Sequence, residues 1–311
     1  SYFSFSGISY IMDVYHGSEK PERNVLRFTS FLVMFPKLLQ GPITRYKDVK
    51  NELLDSKIVT GNLAVGVRRL VIGLAKKVIL ANSLAVASEK VFSADPSRLG
   101  AGAAWFGLIA FTLEIYFDFS GYTDMALGIG QMLGFKLPEN FNQPYSSRSI
   151  TEFWRRWHMS LTSWFRTYVF IPLEFARKRE RFLRQQTNIL IVFLLTGLWH
   201  GAGWNFVIWG GYFGLLLALE ASGLGKWLKK LPVFLQHSYA LILIMLGWVF
   251  FRVTSIADWG PFLGVLTGGN GWSAYATLKS MNIFFYWPIM LLAILFCIPG
   301  ITRFLDKLIT S

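Results

Sequence analysis

Residues Gln185 to Leu219 read QQTNILIVFLLTGLWHGAGWNFVIWGGYFGLLLAL, 35 residues without one Asp, Glu, Lys or Arg. A helix needs roughly 20 predominantly apolar residues to cross the ~30 Å hydrocarbon layer. The run is therefore too long for one perpendicular span and too short for two with a generous loop. At its middle stands TGLWHGAGW, where Gly197, Gly201 and Gly203 surround His200. The pattern predicts a broken or re-entrant arrangement, which lipid tolerates only where irregular backbone faces protein or a water-filled cavity. His200 is then expected at membrane depth beside a cavity.

The rest of the chain agrees with a membrane class. Its 311 residues are 53% hydrophobic, 17% aromatic and only 16% charged, whereas soluble domains carry about 25% charge. A soluble enzyme, a disordered tail and a disulfide scaffold are excluded together, the last also because Cys297 is the one cysteine. Further membrane-length stretches run from Ala101 to Phe117, Ser238 to Phe251 and Asn282 to Ile301, and Phe28 to Leu39 suggests a short or tilted span. From Leu63 to Val91 a helical pattern is interrupted by Arg68, Arg69, Lys76 and Lys77. That suits a helix at the interface or bundle edge with its basic side towards lipid headgroups. The fold class read from these features is all-α: a polytopic helical membrane bundle with broken and interfacial helices, forming a single domain over 1–311. The chain starts at Ser1 without an initiator Met or signal-peptide pattern, so terminal helices are expected beyond both ends.

The net charge of +13 reads as topology. Arg155, Arg156, Arg166, Arg177, Lys178, Arg179, Arg181 and Arg184 face only Glu152, Glu174 and Glu180 between residues 152 and 184, and the positive-inside rule puts this belt on the cytoplasmic side. Lys226, Lys229 and Lys230 form a second cluster, and both are cytoplasmic if the run between them crosses twice or re-enters. Nucleic acid is not an expected partner, because the basic residues flank membrane-length runs instead of lining one soluble face.

SRSITEFWRRWHMSLTSWF, residues 147–165, is the second informative stretch. Ser149 and Glu152 form a capping-box pattern, so a helix is expected to start there and to end or kink at Pro172. Ile150, Phe153, Trp154, Trp157, Leu161, Trp164, Phe165 and Tyr168 make one greasy aromatic face, with His158 at its edge and Arg155, Arg156 and Arg166 opposite. An amphipathic helix rich in Trp and Arg belongs at a headgroup interface. Ionisable residues within membrane segments are costly, and burial favours the neutral imidazole that a general base requires. His200 and His158 are the catalytic candidates, the bland alternative for each being a packing hydrogen bond. No HExxH or cysteine cluster is present, so no metal site is expected.

In EIYFDFSGYTD, Glu114 and Asp118 share a helix face and Asp124 follows what reads as a Ser-Gly turn. Buried carboxylates are paired, so ion pairs to a neighbouring helix are favoured over catalysis. The loop LPENFNQPYSSRS offers Asn140, Asn142 and Gln143 as polar contacts for a substrate or as turn residues.

Three strings carry a resemblance: FPKLLQGPITRYKD, FDFSGYTDMALGIGQMLGFKLPENFNQPYSSRSITEFWRRWHMSLTSWFR and GLWHGAGWNFVIWGGYFG. They resemble the membrane-bound O-acyltransferase (MBOAT) superfamily, and most of all its bacterial alginate O-acetyltransferase branch, from about Ile8 to about Arg252. The resemblance implies a multi-helix membrane acyltransferase with a central tunnel. The family's motif histidines fall on His158 in WRRWH and His200 in LWHG, the second being the one the family treats as catalytic. One departure is EFARKRERFLRQQ after WFRTYVFIPL, more basic than the alginate branch and closer to the teichoic acid D-alanyl-transfer branch.

What the resemblance implies chemically is acyl transfer from a cytoplasmic thioester, acetyl-CoA or another acyl donor, with no tightly bound cofactor. His200 would accept the hydroxyl proton and His158 would orient the donor or hydrogen-bond its carbonyl. Arg155, Arg156, Trp157 and Asn142 are the donor-binding candidates, with positive charge suited to the donor's phosphates. No Ser or Cys stands out as a nucleophile, which favours direct transfer. The expected setting is the bacterial inner membrane, with membrane lipid around the protein, a cell-surface polysaccharide as acceptor and a periplasmic or extracellular acetyltransferase as partner. The alternatives are D-alanyl transfer from a carrier protein to teichoic acid and, outside the enzymes, a transporter, since a broken helix with a mid-membrane His also suits a substrate pathway.

Overall fold

The computed structural model describes residues 2–55, 60–178, 183–272, 279 and 282–301, and no strand occurs among them. Among the described residues, four helical stretches are long and apolar enough to cross a membrane: Gly61–Phe92, Ala101–Met132, Trp204–Leu228 and Val233–Arg252. The protein is thus an all-α, multi-pass membrane protein. The chain divides into two compact units, Ser1–Val78 with Phe117–Asn142 and Trp154–Leu173, and Ile79–Tyr116 with Gln143–Phe153 and Glu174–Ser311.

The first unit begins with α1 (Tyr2–Tyr15), α2 (Val25–Leu32) and α3 (Tyr46–Leu54). Phe31, Met34, Tyr46 and Val49 from this region pack with Leu127 and Leu137. The span expected over Phe28 to Leu39 does not form. Asn24 caps α2 by accepting the Arg27 N–H, the helix is only eight residues long, and Pro36 sits in a separate 3-10 turn, Phe35–Lys37. Lys37 is 3% exposed, with its ammonium 3.6 Å above the Phe31 ring and 3.4 Å from Ser6 Oγ. Burial pushes this amine down to about 7.

A long helical rod follows as α4 (Thr60–Ala75), a π-helical turn (Lys76–Ala81) and α5 (Asn82–Phe92), and then α6 (Ala101–Met132). Within the first unit, α4 and α6 run antiparallel along a glycine seam. A Cβ on Gly66 would meet the Gly128 carbonyl oxygen at 2.6 Å, and one on Gly73 the Gly121 oxygen at 2.6 Å. Two sequence expectations are corrected here. Of Arg68, Arg69, Lys76 and Lys77, the last three turn to carboxylates and not to headgroups: Arg69 bonds Asp124 at 3.0 Å and also Glu139, Lys76 bonds Asp124 at 2.6 Å, and Lys77 pairs with Asp118. Nor is Ser120–Gly121 a turn: α6 runs straight through it, and Gly121 is there for close approach to α4. Asp118 and Asp124 make the ion pairs to a neighbouring helix that the sequence favours. Glu114, in the second unit, accepts from Ser88 Oγ.

The second unit is dominated by α10 (Arg184–His200) and α11 (Trp204–Leu219), an antiparallel hairpin broken at residues 201–203 as the sequence predicts. Its helices approach closely where Gly197 faces the Phe206 carbonyl and Gly210 the Phe193 carbonyl, the small-residue packing typical of membrane helices. A further span, α13 (Val233–Arg252), packs on α11 through Trp248 with Trp209 and Phe213, and Tyr212 donates to the Leu243 carbonyl at 2.9 Å. The final apolar segment is shorter than its expected span: α15 (Trp287–Phe296), counting α12 (Gly225–Leu228) and α14 (Trp259–Leu266) before it, has ten residues.

The helix α7 (Ile150–Arg156) starts in this unit with the expected cap. Ser149 Oγ accepts the Glu152 N–H at 3.0 Å, and the Glu152 carboxylate accepts from Arg148 N. The buried Glu220, just past α11, completes the cap by accepting the N–H groups of Ile150 at 2.8 Å and Thr151 at 2.9 Å. Helix starts leave N–H groups without intrahelical partners, and a distant carboxylate supplies two acceptors here.

Candidate active site

His158 lies at a break. The continuous helix expected from Ser149 to Pro172 is interrupted after α7, and α8 (Met159–Phe165) starts anew, followed by a π-helical turn (Arg166–Phe170) and α9 (Ile171–Ala176). The π-helical turn runs directly into α9, its flanking residues Phe165 and Ile171 both being right-handed helical, so the helix passes Pro172 instead of ending there. The break is at His158 itself, which adopts the left-handed conformation with φ 45° and ψ 53°. Such a conformation costs a non-glycine residue of order 1–3 kcal/mol and marks places where surrounding structure imposes it.

The loop 140–142 imposes it. Met159 N, which a continuous helix would bond to Arg155, donates to the Asn140 carbonyl at 2.9 Å, and Asn142 N donates to the Arg156 carbonyl at 2.9 Å. Two of the backbone groups released by the break, the Met159 N–H and the Arg156 carbonyl, are thereby paired again. The Asn140 side chain is fully buried, and its Oδ1 accepts from Ser160 N at 3.2 Å and Ser160 Oγ at 2.9 Å while lying 3.1 Å from His158 Nδ1. Ser160 Oγ also accepts from Ile43 N at 3.0 Å. The imidazole, 2% exposed, meets the edge of Phe119 at 4.7 Å and stacks on Tyr2 at 6.2 Å. The aromatic face read as lying at a headgroup interface is instead inside the protein: Phe153, Trp154, Trp157, Leu161, Trp164, Phe165 and Tyr168 are all buried.

The donor-binding candidates gather only in part. Arg156 donates to the Asn142 carbonyl at 3.3 Å, and Trp157 packs edge-on against Phe141 at 5.0 Å, so Asn142, Arg156 and Trp157 belong to one corner of this unit. Arg155 is exposed on the opposite side of α7 from the buried aromatics. Beside the break lies a cavity of about 240 Å³ lined by Arg45, Asp48, Glu139, Ser160, Ser163 and Trp164, and a larger one of about 570 Å³ is lined by Asn62, Arg69, Gln131, Lys136 and Glu139, among others. Ser160 carries no signal in the sequence that separates it from a solvated hydroxyl. Asn140 was legible only as a polar loop residue.

In the second unit, His200 is the last residue of α10, where the chain leaves the helix for Gly201–Gly203. It is half-buried in an aromatic ring set: Trp199 at 4.7 Å, Trp209 at 5.0 Å, Phe251 at 5.4 Å and Phe206 at 6.3 Å. Much of this surrounding is apolar. The basic belt is less available than its charge suggests. Arg177 donates to Asn188 Oδ1 at 2.7 Å, Asn188 donates to Glu174 at 2.6 Å, and Arg184 pairs with Glu174 at 3.0 Å. Arg179 and Arg181 lie outside the described residues.

The fold defines an all-α, multi-pass membrane protein, with one imidazole at a strained break in the first unit and another at a helix end in the second, and comparison makes the class specific. The profile of the membrane-bound O-acyltransferase family matches residues 18–251, and the chain belongs to that family. It is 39% identical over 317 residues to the probable alginate O-acetylase AlgI of Azotobacter vinelandii, covering 100% of this chain and 62% of the relative. The corresponding Pseudomonas aeruginosa protein is 41% identical over 257 residues, covering 82% and 48%. A peptidoglycan O-acetyltransferase of Helicobacter pylori is 34% identical over 318 residues, covering 91% and 59%. The chain spans about half to three-fifths of the length of these curated relatives.

Proposed function

We propose that this chain is the acyl-transferring part of a membrane O-acyltransferase that moves an acetyl group from a thioester, acetyl-CoA or a related donor, towards a hydroxyl of a cell-surface polysaccharide. Membership of the family and likeness to an alginate O-acetylase and a peptidoglycan O-acetyltransferase support the acetyl reading. The observation that carries the chemistry is His200 at the end of α10, at the hairpin break and shielded by Trp199, Trp209 and Phe251. In the proposed step the acceptor hydroxyl attacks the thioester carbonyl carbon while His200 takes its proton. The C–S bond then breaks, and the proton passes to the departing thiolate. A positioned His contributes typically about 10²–10⁴-fold to such a step. His158 acts on the donor side, with Arg156, Trp157 and Asn142 grouped beside it and Arg155 on the exposed face of α7. The protein works in the bacterial inner membrane, with a periplasmic acetyltransferase as its partner in acetylating the polysaccharide.

The test is a donor assay in membranes carrying the full-length protein. Labelled acetyl-CoA is expected to label surface material, and His200→Ala to lose 10²-fold or more of that labelling at unchanged protein level. Labelling only from a D-alanyl carrier protein would transfer the reading to D-alanyl transfer to teichoic acid. Normal labelling by the His200→Ala protein would remove His200 from the chemistry.

A further inference from the structure

His158 as the resemblance describes it has two possible tasks, orienting the donor or hydrogen-bonding its carbonyl, and these need different protonation at Nε2. Three contacts converge on Asn140 Oδ1: Ser160 N at 3.2 Å, Ser160 Oγ at 2.9 Å and His158 Nδ1 at 3.1 Å. A backbone N–H only donates, so the contact with Ser160 N fixes which end of the Asn140 amide is oxygen. An amide oxygen only accepts, so His158 Nδ1 must carry the hydrogen it presents to that oxygen. In the neutral imidazole the lone pair is then on Nε2. Ser160 is tied in turn by its bond from Ile43 N, and the Asn140 backbone holds the break through Met159 N. The one oxygen that sets the tautomer, Asn140 Oδ1, is therefore anchored by contacts other than the ring it orients.

We propose that Asn140 is a positioning residue that holds His158 as the Nδ1–H tautomer, so that His158 meets its ligand as a proton acceptor at Nε2. Its ligand partner is then a hydroxyl, thiol or amide N–H of the donor or acceptor, and a carbonyl oxygen is not one while the ring is neutral. This rests on the reading that His158 is functional. The strained backbone at His158 fits the assignment: a residue held in the left-handed region by an outside loop has its ring direction set by that loop.

The experiment uses the full-length protein in liposomes, with nitrogen-15 labelled histidine and solid-state NMR on the wild type and on His158→Gln to assign the signal. The expected wild-type spectrum shows a pyrrole-type Nδ1 and a pyridine-type Nε2 at His158, and the reverse assignment overturns the proposal. Asn140→Ala is expected to mix the tautomers and lower kcat 10- to 100-fold with the donor KM changed less than threefold. Asn140→Asp accepts the same three bonds, so it is expected to retain Nδ1–H and recover much of the kcat. Its added negative charge favours the imidazolium, so the acidic limb of the kcat profile moves to higher pH. Of the rings packed on His158, Tyr2 from α1 is titratable and Phe119 from α6 is not. Burial raises the Tyr2 phenol above its ordinary value, so it does not produce that limb. An Asn140→Asp protein with the wild-type pH profile, or an Asn140→Ala protein with wild-type kcat, overturns the positioning role. If His158→Ala keeps full activity, the underlying reading of His158 fails instead, whatever the tautomer.

Discussion

Replacing Gly197 by alanine tests how tightly the hairpin that ends in His200 is determined. A methyl there would stand 2.3 Å from the Phe206 carbonyl oxygen and 3.1 Å from its carbon, where ordinary contact begins at 3.4 Å. The obstacle is backbone, so no rotamer change relieves it, and α10 must retreat from α11 by roughly 1 Å, an overpacking of the kind that costs about 1–3 kcal/mol. Against this, Gly→Ala within a helix gains about 0.5–1 kcal/mol, so the clash wins. Gly211→Ala is the internal control: its Cβ would meet Leu194 Cδ2 at 3.6 Å, an ordinary contact, and only the gain applies. His200 lies one turn beyond Gly197, and a 1 Å displacement of a catalytic group can cost on the order of 10²-fold. Thermal unfolding in detergent and acetyl transfer in membranes, run on both variants, should show Gly197→Ala melting several degrees lower with at least a tenfold loss of transfer. Gly211→Ala should show neither. A Gly197→Ala protein that melts and turns over like the wild type would refute the close-packed hairpin.

Two further outcomes follow from buried charges outside the hairpin seam. Glu220→Gln keeps one acceptor but aims an amide N–H at a second backbone N–H of α7, an expected loss of about 2–4 kcal/mol. Hydrogen exchange at the Ile150 and Thr151 amides should accelerate, and unchanged protection would rule out the long-range cap. Lys37 binds its proton at about 7 when folded and at 10.5 ordinarily. Between those values the unfolded chain holds more protons, so stability rises with pH across that window and is penalised below it. Lys37→Met should flatten that slope and be the more stable protein at pH 6, and an unaltered slope in denaturant titrations would count against the burial.

The hairpin break was legible because its cause is local: glycines within one uncharged run, in a solvent that forbids unpaired backbone. The start of α7 was legible at Ser149 and Glu152 for the same reason. The break at His158 was not, since the three- and four-residue apolar spacing continues across it and no Gly or Pro announces it. Its cause is the loop at Asn140 and Asn142, 16 to 18 residues upstream, which outbids the helix for the same backbone groups. Ser120–Gly121 misled in the opposite direction. Glycine in a polar dipeptide suggests a turn, while Gly121 serves a close approach to Gly73, which only the partner helix reveals. Arg69, Lys76 and Lys77 showed their periodicity in the sequence but not their partners, because Asp118, Asp124 and Glu139 are 41 to 70 residues away.

The seam between α4 and α6 bears on how the protein meets bilayers of different thickness. Gly66 and Gly73 are two turns apart and meet Gly128 and Gly121, with Arg69, Lys76 and Lys77 bonded along the same edge. A slide of one turn, about 5.4 Å, would press side chains into the glycine contacts and strand the carboxylates together. The pair cannot telescope to match a thinner or thicker hydrocarbon layer. Tilting is the response left to it, which costs only fractions of a kcal/mol per Å of mismatch and keeps every bond along the seam.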